Sequence, residues 1–196
     1  MWHIVFLAFA SVASIGPTNL YAINEGLKKG AHHTFWILTG GVVTDLFYAH
    51  LAGIGATFFF SNTKVQIAMT GIGITLFGYF GIKNIINIFL KRQYKTDIIN
   101  KEPNPFMIGL LMTLPNPFSI LMWAAAFVSY KINYTPITLS AIIISVGIFW
   151  ASIESATVQL LKKHFKQSVY KIVDGVTGII LVVFAIKMAL KMFAII

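Results

Sequence analysis

Long apolar stretches separated by short basic clusters set the pattern of this chain. Six of them, at roughly 2–24, 34–60, 65–90, 106–130, 136–160 and 170–195, are long enough to cross a bilayer. Crossing about 30 Å of hydrocarbon takes about 20 helical residues. The stretches are continuous rather than alternating, which predicts helices and not the strands of a barrel. They are also almost free of charge: no Asp, Glu, Lys or Arg precedes Glu25, and none lies between Glu102 and Lys131 or between Lys131 and Glu154. The expected fold is an all-α integral membrane protein with six transmembrane helices. With no Lys or Arg ahead of it, the first stretch reads as a retained span rather than a cleaved signal.

Composition supports the same solvent. Hydrophobic residues make up 57% of the 196 positions and charged residues 11%, against roughly a quarter charged in soluble domains. A chain this short cannot hide so much apolar surface in a core of its own, so the lipid bilayer is its main partner. Cysteine is absent, which removes disulfides, thiolate metal sites and cysteine nucleophiles. The net charge of +9 lies in short clusters between apolar runs, a topology signal rather than a phosphate-binding face, and no nucleic-acid partner is expected.

Loop charge predicts orientation. The first, third and fifth connections carry Lys28 and Lys29, then Lys91, Arg92, Lys95 and Lys101, then Lys162, Lys163, Lys166 and Lys171. Only Lys64, Lys131 and Lys191 fall on the other side, and ten against three places the odd connections in the cytoplasm and both termini outside. Residues 91–105 form a cytoplasmic linker that divides one transporter domain, 1–196, into repeats 1–90 and 106–196. The halves resemble one another weakly. Gly16-Pro17-Thr18-Asn19 matches Leu114-Pro115-Asn116-Pro117, while Phe80-Gly81-Ile82-Lys83 matches Phe184-Ala185-Ile186-Lys187, and Gly71 aligns with Gly175. Three helices per half make such a duplication a 3+3 inverted repeat, in which paired broken helices mark a transporter's binding site.

The chemistry of the breaks suits a zwitterion. Proline removes a backbone donor and frees carbonyls upstream, here expected at Ser14, Ile15 and Leu114. Gly16 and Asn116 suit an N-cap, with Pro17 and Pro117 at the first helical position. A new helix start offers free amides and a partial positive charge to a carboxylate, while freed carbonyls face an ammonium group. Asp45 lies about 17 Å along the second stretch at 1.5 Å per residue, near the midplane, where an ionisable group is a functional candidate. Its neighbours Gly41, Ala49 and Gly53 form a small-residue stripe expected to face other helices. Such stripes also permit a homodimer. Glu154 and Asp174 fall near the cytoplasmic ends of their stretches and are expected to reach water, as are the snorkelling Lys83 and Lys187. His50 with Asp45 is weak evidence for a metal site, and packing or a proton-relay role fits it better; no metal or cofactor is expected. No G-x-x-x-x-G-K-[ST] sequence occurs and no acid, base or nucleophile set emerges, so an ion gradient and not catalysis is the expected source of work.

These residues resemble the lysine exporter (LysE/RhtB) family of amino-acid exporters. The likeness runs through Gly16-Pro17-Thr18-Asn19, the basic segment from Gly26 to Gly30, Gly40-Gly41-Val42-Val43-Thr44-Asp45, the glycine-rich Gly71 to Gly81 and Phe106 to Pro117 with Gly109. It departs where the family usually reads Pro-Gly-Pro-Asn, and at Phe118, where a basic residue is common. The resemblance implies proton-driven export of amino acids across a bacterial inner membrane. The expected substrate site comprises Gly16, Pro17, Thr18, Asn19, Asn116 and Pro117, with Asp45 coupling to protons. The alternatives are a metal-cation or small-ion exporter and a membrane scaffold subunit that transports nothing.

Overall fold

The computed structural model describes residues 2–13, 16–54, 62–89, 103–115, 119, 123, 135–164 and 167–193, and every regular element among them is an α-helix. In chain order these are α1 (Trp2–Val12), α2 (Pro17–Lys29), α3 (Ala31–Gly53), α4 (Thr63–Phe89), α5 (Pro105–Thr113), α6 (Pro136–Lys162) and α7 (Gln167–Phe193). Three of them start on proline, whose fixed φ and missing N–H cost nothing at a first helical position. Asn104 Oδ1 caps α5 by accepting from Phe106 N at 3.0 Å, and Thr135 Oγ1 caps α6 by accepting from Thr138 N at 3.3 Å. Ahead of Pro17, Gly16 caps α2 with its backbone alone.

Among the described residues four helices are long and apolar enough to cross a membrane: α3, α4, α6 and Lys171–Leu190 within α7. Ile4–Val12 and Pro17–Lys29, bent by 57° at the break between them, are together long and apolar enough for a fifth crossing. The first stretch is thus two half-helices, the second starting at Pro17 where the sequence places a new helix start. Of the stretch at 106–130, α5 is described together with Leu114, Pro115, Ser119 and Trp123. Asn116, Pro117 and most of the linker, with Lys91, Arg92, Lys95 and Lys101, lie outside the described residues, as do Ser14 and Ile15.

The first connection differs from expectation. Lys28 and Lys29 are not in a loop but form the last turn of α2, and Gly30 alone separates α2 from α3. Gly30 takes φ 118°, a value that favours glycine, and its N–H closes α2 on Gly26 O at 2.8 Å. Basic side chains at a helix C-terminus are also favoured by the helix dipole.

Packing uses close backbone approach, as expected where lipid is as apolar as the helices and van der Waals contact must hold them together. The most extensive contact joins α4 to α7. There a Cβ on Gly81 would lie 3.0 Å from Gly178 O, and one on Gly178 would lie 2.9 Å from Gly81 O. Likewise a Cβ on Gly40 of α3 would collide with Phe106 O of α5, and one on Gly109 with Ile37 O. Tyr21, Ile37, Phe77, Phe80, Met112 and Leu181 form one apolar cluster linking α2, α3, α4, α5 and α7. A second, with Ile4, Ala8, Val42, Tyr48, Trp123 and Ile143, links α1, α3 and α6. Phe149, Leu160, Ile172 and Leu190 point outward, as lipid-facing residues do.

Candidate functional site

The break between α1 and α2 builds the floor of a cavity. Gly16 is extended (φ −104°, ψ 175°) and Pro17 begins the new helix, so the first-turn amides of Thr18 and Asn19 have no intrahelical acceptor. On the other side of the break the Val12 carbonyl, at the end of α1, accepts from Asn19 Nδ2 at 2.8 Å. Asn19 therefore ties the two half-helices together while its helix start stays available.

Asp45 of α3 stands beside this break. It is 4% exposed, and Ser11 Oγ of α1 donates to its Oδ2 at 2.6 Å. Ser119 lines the same cavity, and Trp123 is buried in the apolar cluster that α3 shares with α1 and α6. The cavity is lined by Ser11, Gly16, Thr18, Asn19 and Asp45, with Gly41, Thr113 and Gly147 among the small and hydroxyl groups and Val12, Leu38, Val42 and Trp150 among the apolar ones. Its atom-free space is about 460 Å³ including the open mouth. Among these residues Asp45 is the one charged side chain. Thr113 Oγ1 donates to Thr18 Oγ1 at 3.4 Å, which joins α5 to the start of α2.

The candidate residues thus fall into place unevenly. Gly16, Thr18, Asn19 and Asp45 share the cavity, while Pro17 is buried behind it. Asn116 and Pro117 lie outside the described residues, so the second break is described only as far as Pro115. The carbonyl of Leu114, expected to be free, accepts from the Tyr48 hydroxyl. Gly41 and Ala49 are buried as expected, but Gly53 is exposed at the end of α3. His50 places Nδ1 at 2.8 Å from Leu46 O and Nε2 at 3.2 Å from Ser140 Oγ, a bond that fastens α3 to α6. Among the described residues no three His, Asp or Glu gather as a metal site would require. Ser11, Thr113, Trp150 and Gly147 were not anticipated. Ser11 is a polar residue in an apolar run and so carries a signal of its own; Trp150 arrives through packing, edge-on to Phe9 of α1 with centroids 5.2 Å apart.

A second polar group lies at the far end of α2. Asp174, expected to reach water, is fully buried (0% exposed). It pairs with Lys28 and accepts from Asn24 Nδ2 at 2.9 Å. Lys28 Nζ also lies 3.5 Å from Glu25 Oε1 and 3.5 Å from Asn84 Oδ1, and Lys29 Nζ lies 2.5 Å from Glu25 Oε2. Burial is possible because each charge meets an opposite one, and a helix end near the membrane surface gave no hint of it. Glu154 is half-buried beside Trp150, one turn away. Lys83 sits 5.9 Å over the Tyr79 ring, and Lys187 is exposed.

Comparison with known proteins places this architecture. A family model described as LysE type translocator matches residues 9–192. A protein of Bacillus subtilis (strain 168), YcgF, which bears a provisional amino acid efflux name, is 24% identical over 193 residues, or 92% of this chain and 90% of its own. No solved structure matches.

Proposed function

Because the chain belongs to the LysE type translocator family, and is therefore a multi-pass membrane transporter and not an enzyme, we propose that it exports amino acids by exchange with protons. The observation that carries this reading is Asp45, a buried carboxylate held by Ser11 in a cavity that opens on the start of α2. A bare carboxylate at that depth is costly, so a neutralising partner must be present when it crosses. A proton and a substrate ammonium are alternative partners for the same oxygens, and their mutual exclusion is what couples the two flows. The substrate carboxylate goes to the free amides of Thr18 and Asn19 at the positive end of α2.

The lining also selects among amino acids. One carboxylate serves one ammonium, and Val12, Leu38, Val42 and Trp150 surround the remaining volume with apolar surface. The substrates are zwitterions with uncharged side chains. A lysine substrate would bring a second cation with no partner, and a glutamate substrate a second anion. Removing the partner of a buried charge costs several kcal/mol, so discrimination of at least about 100-fold is expected at 1.4 kcal/mol per factor of ten.

The same reading takes the two halves as inverted repeats of three helices that rock around the cavity in alternating access, with the second break supplied by Asn116 and Pro117. The reciprocal glycine contact of α4 with α7, the third helices of the two halves, supports it. The protein would lie in a bacterial inner membrane with both termini outside. Purified protein in liposomes carrying an imposed proton gradient tests the proposal. Uptake or release of a neutral amino acid should follow the gradient and fall at least about tenfold in Asp45→Asn; full gradient-driven flux in that variant would remove Asp45 from the coupling.

A further inference from the structure

We propose that α2 is a hinged half-helix whose far end is latched to α7 and α4 by the buried Lys28–Asp174 ion pair, and that breaking this latch opens the cavity to the side on which α2 ends. The proposal rests on the transporter reading but not on the identity of the substrate or on Asp45.

Three observations converge. Both ends of α2 are jointed: the extended Gly16 precedes Pro17 at one end, and Gly30, with φ 118°, is the one residue between α2 and α3 at the other. A rod of 13 residues with such joints can tilt as one body, giving up the bond from Thr34 Oγ1 of α3 to Ala22 O, 3.0 Å in the closed state. The cavity is at its first turn and the charge cluster at its last, so motion at one end reaches the other through a rigid helix. Between them the chain is sealed by Tyr21, Ala22 and Leu27, all at most 2% exposed.

The chemistry of the seal is the third observation. A permanent plug would be made of packed apolar side chains, since a buried ion pair returns little more than its own desolvation cost. Here Asn24, Glu25, Asn84 and Asp174 are all at most 6% exposed, and Lys28 lies among them. Asn24 Oδ1 and Asn84 Nδ2 have no hydrogen-bond partner among the described residues. Such a layer is near balance: closed, its charges pair with one another; open, water solvates the same charges and satisfies the two amide atoms as well. That near-equality is what a two-state element needs.

The absence of cysteine makes the native chain a clean background for the test. Ala22→Cys places a reporter between cavity and latch, and its reaction with a membrane-impermeant thiol reagent is followed in right-side-out and inverted vesicles. Asp174→Asn, and separately Lys28→Met, should speed labelling at least tenfold from one side only, and the exchange Lys28→Asp with Asp174→Lys should return it toward the slow rate. Unchanged labelling, or equal acceleration from both sides as in general loosening, would overturn the latch. In a second arm a covalent bridge stands in for the ion pair. Asn24→Cys with Asp174→Cys, bridged by a short thiol cross-linker, should stop transport until the bridge is cleaved; continued transport while bridged would overturn the proposal. Loss of proton coupling with side-specific labelling intact would count against the transport mechanism and not against the latch.

Discussion

Asn19 shows how one side chain lets a helix break inside a membrane. Its amide supplies the donor that Val12 O would have found in a continuous helix. Asn19→Leu removes that donor and leaves a carbonyl without its partner, which costs about 1–3 kcal/mol. At roughly 2–4 °C per kcal/mol for a chain of this size, thermal unfolding in detergent should begin several degrees lower. That Gly16, Thr18, Asn19 and Asp45 come together around one cavity was legible, because a proline and an isolated acid stand out in apolar runs. The particular bond made by Asn19 was not, since it depends on the 57° bend. Ser119 and Trp150 meet the cavity through tertiary packing that leaves no mark on local sequence. Asp174 was misjudged for a related reason: depth along its own helix says nothing about a lysine brought to it by another.

At the scale of elements, glycines divide by what lies opposite them. Those at α3–α5 are occupied by a neighbour's backbone, whereas a Cβ at Gly71 or Gly78 of α4 would meet nothing within 4 Å. Gly109→Val should push α5 off α3 and strain the Thr44 Oγ1 bond to Leu110 O, 3.1 Å in the native protein. Overpacking of this kind costs about 1–3 kcal/mol or more. Gly78→Ala should do the opposite, by up to about 1 kcal/mol of helix propensity. Thermal midpoints of the two variants, measured in one detergent, should therefore move in opposite directions from the native value. Helix positions were readable from apolar runs because length alone fixes them. Their ends were less so: α2 runs past its apolar stretch to Lys29 because the charges there are paired rather than solvated.

For the whole molecule, the distribution of lysines predicts how it is threaded. Cysteines placed at Trp2, which is 84% exposed, and appended after Ile196 should react with an impermeant maleimide in intact cells, and Lys163→Cys only in inverted vesicles. Reaction of Lys163→Cys in intact cells would reverse the assignment. The proposed division into two halves rests on the sequence, on Pro17 against Pro117 and Gly71 against Gly175. Only one half contributes an acid to the described cavity, Asp45, and that asymmetry has an electrical consequence. With a proton aboard, the carboxyl crosses as a neutral group; with a zwitterion aboard, the same site crosses carrying one negative charge. Under the proposed proton exchange each completed cycle would move one positive charge inward, so export should generate a current. A membrane potential of 100 mV contributes about 2.3 kcal/mol per charge, enough for about a fiftyfold outward accumulation with no pH difference. Voltage alone, imposed by a potassium gradient and an ionophore, should drive the carrier.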